Sequence, residues 1–362
     1  TMLKFLLYTI IIIHGLIHLI GFAEAFRWMP TPQFTKHISP AAGISWLLTA
    51  LLFLAAFGLL MAGQRDWWQV LTAAILASQF LIFLFWHDAK WGTLPNVILL
   101  VVAVAAFSSW QFENEYQKDV ALAKQAINNT HELLTEKDLE HLPAIVQQYI
   151  IRTGGLQQPK VKSFRVVFDG EMRDKGKDWF TFRSEQYNTI QPASRQFFMK
   201  AKMFGITVPG YHRYTQSKAT MQIKLFGLIP VVDIGGTELS QAETVTLFND
   251  MCLMAPASLI DPRIQWQPID SLRVKATFTN APYTISAELV FNPAGELINF
   301  FSDDRYAIAD MKKYRFATPL SQYQKINSQL IGTYGEAIWH YPDGEFVYGK
   351  FYLKEVEYNP SR

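Results

Sequence analysis

The chain has a single cysteine in 362 residues, Cys252, so no disulfide closes within it and its folded parts rest on their own cores. Charge of one sign is also missing. Lys and Arg number 33 against 31 Asp and Glu, and a formal net charge of +2 leaves no basic footprint for a nucleic acid. The short motifs of common enzyme chemistries are absent too: there is no G-x-S-x-G elbow, no phosphate loop, no G-x-G-x-x-G and no paired C-x-x-C. His212, Glu171, Glu185, Asp303 and Asp304 are scattered over expected strands and loops, and Asp303-Asp304-Arg305 reads as ion pairing at a strand end. Nucleic-acid partners, nucleotide chemistry and hydrolysis are thereby set aside.

What the sequence does have is four long apolar runs, at 3–23, 44–62, 67–86 and 94–110, each near the roughly 20 residues a helix needs to cross a bilayer. The first has the outline of a secretory signal, with Lys4 ahead of it and Ala23-Glu24-Ala25 behind, and is read as a retained crossing; Thr1 ahead of Met2 reads as an expression scar. Beyond the fourth run the chain turns polar and strand-rich. The expected organisation is a four-helix transmembrane domain at 1–111, a helical linker at 112–141 and a β-rich soluble domain at 142–362. Four crossings place Lys4 and Arg65 on the side of the soluble domain, and Arg27, Lys36 and Lys90 on the other. The rule that short cytoplasmic loops are richer in Lys and Arg then puts the domain outside the cytoplasm, by a margin of one residue.

His14 and His18 are four apart on the first helix and share a face with Gly21 and Ala25. Small residues let helices approach closely and an imidazole facing lipid is costly, so this stripe is expected to face the bundle interior. Following the helices through their turns brings His87, Asp88, Lys90 and Asn96 to the same end, which gives an expected polar site of His14, His18, His87, Asp88, Lys90 and Asn96. Two readings stand. In one, His14 and His18 ligate a metal or haem, bind a quinone-like head group, or relay protons with Asp88. In the other, the imidazoles make interhelical hydrogen bonds, and Asp88 and Lys90 are ordinary charges at headgroup level. The run His14-Gly15-Leu16-Ile17-His18 lacks the glutamate of a zinc-protease helix. Gln79, midway along the third run, needs a partner and reads as glue between helices.

In the polar part, 112–128 is expected to prolong the fourth helix, and a short helix to run from Pro143 to Gly154-Gly155. Asn128-Asn129-Thr130 is a formal glycosylation sequon. From Val161 the pattern becomes strands separated by turn signals, with 273–279, 283–291 and 296–302 forming a meander broken at Asn280-Ala281-Pro282 and Asn292-Pro293-Ala294-Gly295. Pro342-Asp343-Gly344 marks another hairpin. One helix interrupts the strands. Ser240-Gln241-Ala242-Glu243 reads as a capping box opening it, with its end near Ala255 before Pro256. The fold class is a four-helix transmembrane bundle plus an α+β soluble domain, whose curved antiparallel sheet, an open or half barrel, packs on helices. Phe197, Phe198, Met199, Met203, Met221, Met251 and Met254 either line an adaptable apolar pocket or fill a core.

Several stretches carry a family resemblance: Leu142-Pro143 through Gly154; Asp169-Gly170-Glu171-Met172-Arg173 with Trp179 and Phe182; Ala255-Pro256 and Ile260-Asp261 within 251–266; Ser302-Asp303-Asp304-Arg305-Tyr306; and Ile338-Trp339-His340-Tyr341-Pro342 through Tyr348-Gly349. They resemble an uncharacterised bacterial membrane-tethered family, and over 142–358 the pattern is similar to the lipoprotein-carrier fold of LolA and LolB. That resemblance implies a curved antiparallel sheet wrapped on helices around an apolar pocket for acyl chains. The membrane half is similar to DoxX-type four-helix proteins in helix count and in polar groups near the first helix, without a cysteine there for thiol chemistry.

The expected function is a membrane-anchored binding module whose β-domain holds a membrane lipid, an acyl chain or another lipid-like ligand. An intramembrane metal-, haem- or quinone-dependent redox enzyme at His14 and His18 is one alternative. A structural or signalling protein with a protein partner is the other. The residues assign no catalytic group and no cofactor.

Overall fold

A computed structural model describes residues 2–28, 35–127 and 132–360; the sequon at Asn128 lies outside the described residues. The chain divides into two compact units, Thr1–Phe112 with Phe226–Leu228, and Glu113–Leu225 with Ile229–Arg362.

The first unit is helical: α1 Met2–Ala25, α2 Pro40–Met61, α3 Trp67–Leu84, the single turn α4 Trp86–Ala89, and α5 Thr93–Gln125, whose last third belongs to the second unit. Four spans, Met2–Ala25, Pro40–Met61, Trp67–Leu84 and Trp86–Gln125, are long and apolar enough to cross a membrane. Ser39 opens α2 by accepting the Ala42 N–H, with Pro40 in the first turn. Ile11, Phe53, Ala56, Leu71, Ala74 and Leu99 meet at the centre, while Phe5, Leu76, Phe80 and Phe83 stay largely exposed. Small residues set the closest helix approaches: a Cβ on Gly21 would lie 2.4 Å from the Trp46 ring, and one on Gly15 2.8 Å from Phe53.

The second unit contains α6 Ala144–Arg152, α7 Thr237–Met254 and sixteen strands. In chain order these are β1 Ser163–Met172, β2 Phe180–Thr189, β3 Ser194–Met203, β4 Ile206–Thr215, β5 Lys218–Leu225, β6 Ile229–Gly235, β7 Ile264–Pro268, β8 Arg273–Asn280, β9 Tyr283–Phe291, β10 Leu297–Ser302, β11 Tyr306–Ala307, β12 Lys312–Lys313, β13 Arg315–Ala317, β14 Leu320–Ile326, β15 Gln329–Tyr341 and β16 Gly344–Tyr358. Fourteen form one antiparallel sheet in the order β6-β5-β4-β3-β2-β1-β16-β15-β13-β10-β9-β8-β7, with β14 also paired to β15. Its two ends, β6 and β7, are not paired to each other, so the sheet stays open. Register shifts at Val167/Phe168 and Ala337/Ile338 lie on either side of β16, at the middle of the sheet, where an extra residue bends a strand and raises its twist.

Both helices cover one face of this sheet. Alternate residues of β8 and β9 (Val274, Ala276, Phe278; Ile285, Ala287, Leu289, Phe291) are buried beneath them. Phe248 of α7 stacks on Phe278 with centroids 5.0 Å apart, and Tyr149 of α6 packs on Phe291 while its hydroxyl donates to the Cys252 carbonyl at 3.0 Å. The other face of β2–β4 meets the end of α5: Tyr116 lies against Phe198 and Tyr211, and Asp119 accepts the Tyr211 hydroxyl. Period-two alternation therefore sends Phe197 and Met199 to the α7 side and Phe198 to the α5 side.

The start of α7 differs from the sequence reading. The helix begins at Thr237, after Gly236, whose φ of 113° favours glycine. Ser240 sits one turn inside, its hydroxyl on the Gly236 carbonyl and on the Ala219 N–H, so Ser240 and Glu243 do not form a capping box. Glu243 is free to serve elsewhere.

Candidate functional site

Between α7 and the sheet lies a cavity of about 720 Å³, within the roughly 300–1,000 Å³ typical of small-molecule clefts. Its apolar wall comes from β1 to β6 (Phe168, Phe180, Phe197, Met199, Met221, Ile223), from α7 (Leu239, Leu253, Met254) and from β13 to β16 (Phe316, Trp339, Tyr348, Phe351). Of the seven residues expected to line a pocket or fill a core, Phe198 faces Tyr116 on the other side of the sheet, and Phe197, Met199, Met221 and Met254 line the cavity. Met251 does not: it is fully buried in the core behind α7, and Met203, near the end of β3, packs on that core half-buried. Met251 lies with Phe248 and Cys252 on the part of α7 that is fully buried in the core.

One side of the cavity is charged. Arg195 on β3 is buried and donates from Nε to Asp250 at 2.7 Å, from Nη1 to Glu243 at 3.0 Å and from Nη2 to the Gln186 amide oxygen at 3.2 Å. Gln186 donates in turn to Asp250, and His212 Nδ1 is 3.3 Å from Glu243. Burial alone would push the Glu243 carboxyl up, but Arg195, His212 and Arg305 outweigh it and hold the group at about 2. A buried guanidinium paired with two carboxylates and bonded to an amide is in the compensated state in which buried charges are tolerated.

A second guanidinium on the wall is held differently. Arg305 lies over the rings of Phe316, at 4.1 Å, and Trp339, at 4.9 Å, and donates to the Tyr348 hydroxyl at 2.9 Å and to Thr246 at 3.3 Å. Among the described residues no carboxylate lies within salt-bridge distance of it. The expectation that Asp303, Asp304 and Arg305 pair locally therefore holds only for the two acids. Asp303 is 3.5 Å from Arg315, and Asp304 accepts the Ser286 N–H and lies 3.6 Å from Lys313.

A surface depression of about 800 Å³ beside Glu132, Asp138 and Lys160 carries less. Its amine is spent on Glu132 at 2.5 Å and Asp138 at 2.8 Å.

In the helical unit the expected polar site resolves into two separate groups. His14 Nε2 donates to Asn96 Oδ1 at 2.8 Å; Asn96 Nδ2 donates to Ser78 at 2.9 Å and to Gln79 at 3.1 Å; and Gln79 donates to Thr93 at 3.2 Å. His18 Nδ1 must donate to the His14 carbonyl, 2.8 Å away, which leaves its Nε2 to accept from the Ser78 hydroxyl at 2.9 Å. Nε2 of His18 and Nε2 of His14 are thus engaged in bonds between helices, and Nδ1 of His18 is spent within α1. His87, Asp88 and Lys90 are not part of this group. His87 is exposed and pairs with Asp88, Asp88 accepts from the Thr35 N–H and hydroxyl, and Lys90 lies over the Trp91 ring. The turn α4 carries them away from the bundle interior. Among the described residues no group of three or more His, Cys, Asp or Glu is placed to hold a metal ion.

Residues 132–351, more than half of the chain, match a family of unknown function, DUF6544. The chain belongs to that family. No curated protein matches it. Among solved structures it is similar to a LolA superfamily protein, NE2245 from Nitrosomonas europaea, at 10% identity over 60% of this chain and 94% of that one, with a TM-score of 0.36.

The DUF6544 match takes in α7 and every strand but the end of β16, and so nearly all of the cavity wall, while α1 to α5 lie outside it. Four members of that wall escaped the sequence reading: Arg195, Glu243, Asp250 and Arg305. Alternation along β3 does place Arg195 on the same face as Phe197 and Met199, and that was the available signal. Nothing local tells where Arg305 points, because it leaves a loop.

Proposed function

We propose that the β-rich unit binds the apolar part of a lipid, an acyl chain or a comparable hydrophobic ligand in the cavity under α7, and that the four long helices anchor the protein in a membrane with this unit on the extracytoplasmic side. The observation that carries the reading is the cavity itself: a space large enough for a ligand, walled mostly by apolar and aromatic side chains, several of which, such as Phe168, Phe197, Met199 and Met254, belong to the core of the unit. Methionine on three sides suits a ligand of variable outline, because its unbranched thioether adapts at low cost.

The test is mass spectrometry of the organic extract of the full chain, purified in a mild detergent, beside a variant that fills the space. Met221 is half-buried on β5 and lines the cavity, so Met221→Trp adds bulk there without removing a core side chain. The expected outcome is a near-stoichiometric amphiphile with the wild-type chain and at least a fivefold loss with Met221→Trp at an unchanged melting temperature. Equal retention by both would place the bound lipid on the helices instead.

A further inference from the structure

We propose that the ligand of this cavity is an anionic amphiphile, a single apolar tail ending in an oxyanion such as a carboxylate, whose head is received by Arg305. This rests on the hydrophobic-ligand reading above and adds the chemistry of the head.

Of the three guanidiniums on the wall, Arg173 donates to the Val347 carbonyl and lies over the Trp179 and Phe346 rings, and the other two divide the work. Arg195 has three donors spent on Asp250, Glu243 and Gln186, and its two carboxylates more than match its charge. Arg305 has no carboxylate within ion-pair distance among the described residues: it donates to two neutral hydroxyls and lies over two aromatic faces, and Glu243 acts on it only through space. A guanidinium carries five N–H donors in a planar fork, so donors remain on Arg305 for the bidentate acceptor that an oxyanion provides. The rings of Phe316 and Trp339 hold the fork in place and lower the entropy lost on binding. The same wall holds Thr318 Oγ1, a buried hydroxyl with no partner among the described residues, two positions along from Phe316. Unpaired buried hydroxyls are uncommon in folded proteins, and this one supplies a further donor to an oxyanion. The apolar wall of Phe197, Met199 and Met221 then takes the tail.

The experiment uses the full chain in lipid nanodiscs and two photoactivatable probes of equal length, a twelve-carbon carboxylic acid and the corresponding primary alcohol, each with a mid-chain diazirine, at pH 7.5. Labelled peptides are mapped by mass spectrometry, so probe in the cavity is told from probe in the bilayer. Labelling of cavity peptides by the acid is expected at a concentration at least tenfold below that of the alcohol. Arg305→Gln should bring the acid to the level of the alcohol and leave the alcohol unchanged, which also reports that the fold is intact; Arg305→Lys should keep most of the preference. Excess acetate should not displace the acid.

Equal labelling by acid and alcohol in the wild-type chain would overturn the anionic head while leaving a hydrophobic ligand standing. A preference that survives in Arg305→Gln would overturn the role of Arg305, and displacement by acetate would show a site for free anions. Labelling of the helices alone by both probes would overturn the cavity reading and this one with it. Should Arg305→Gln fail to fold, the wild-type comparison of acid and alcohol still decides.

Discussion

Glu243 condenses what a sequence conceals at the scale of one residue. Three positions after a serine it has the spacing of a capping box, yet in the fold it is a buried carboxylate between Arg195 and His212. Local spacing could not reveal this, because its partners lie 48 and 31 residues away on β3 and β4. The consequence for stability has a definite sign. Held at about 2 against an ordinary value of 4.5, the ionised carboxylate contributes fully above pH 4.5, and that contribution is lost as the pH falls through 4.5 toward 2. A shift of that size corresponds to on the order of 3 kcal/mol. Glu243→Gln leaves Arg195 paired with Asp250 alone, removes the carboxylate beside His212, and is expected to cost on the order of 3 kcal/mol at neutral pH. It should also flatten the dependence of unfolding on pH between 4.5 and 2, as followed by near-ultraviolet circular dichroism. An unchanged slope would mean that other acids carry the acid sensitivity.

Elements were legible where period and punctuation agreed. The meander β8 to β10 was readable because Asn280-Ala281-Pro282 and Asn292 to Gly295 punctuate it; the register of the alternating β8 and β9 follows once their turn is placed, whereas a register shift between Leu297 and Asn299 offsets β10. The early residues of α7 hid its start, since the turn before them is made by Gly236 rather than by a serine. In the bundle, the stripe of α1 carries a sharper consequence. Gly21 has the Trp46 ring 2.4 Å from where a Cβ would stand, whereas Gly58 of α2 has nothing within 4 Å. Gly21→Ala should therefore force α1 and α2 apart and lower the melting temperature in detergent by several degrees. Gly58→Ala, which only trades glycine for the better helix former, should leave it unchanged or raise it by the equivalent of about 0.5–1 kcal/mol. Equal responses at the two positions would mean that the α1–α2 approach is not set by glycine.

For the whole molecule, the division into an apolar helical part and a β-rich part is plain in composition, since long uncharged runs and alternating strands cannot be confused. What composition cannot yield is the side of the membrane, because the loops differ by one basic residue. The single cysteine makes that measurable. Cys252 is fully buried in the core behind α7, so the wild-type chain should be silent to a membrane-impermeant maleimide. Lys177, exposed in the turn between β1 and β2, becomes a reporter as Lys177→Cys, and exposed His87 becomes a second as His87→Cys. With the β-rich unit outside the cytoplasm, Lys177→Cys is expected to label in intact spheroplasts and His87→Cys only after the membrane is permeabilised. The opposite pattern would put the cavity in the cytoplasm, and its ligand would then have to come from the inner leaflet or the cytosol.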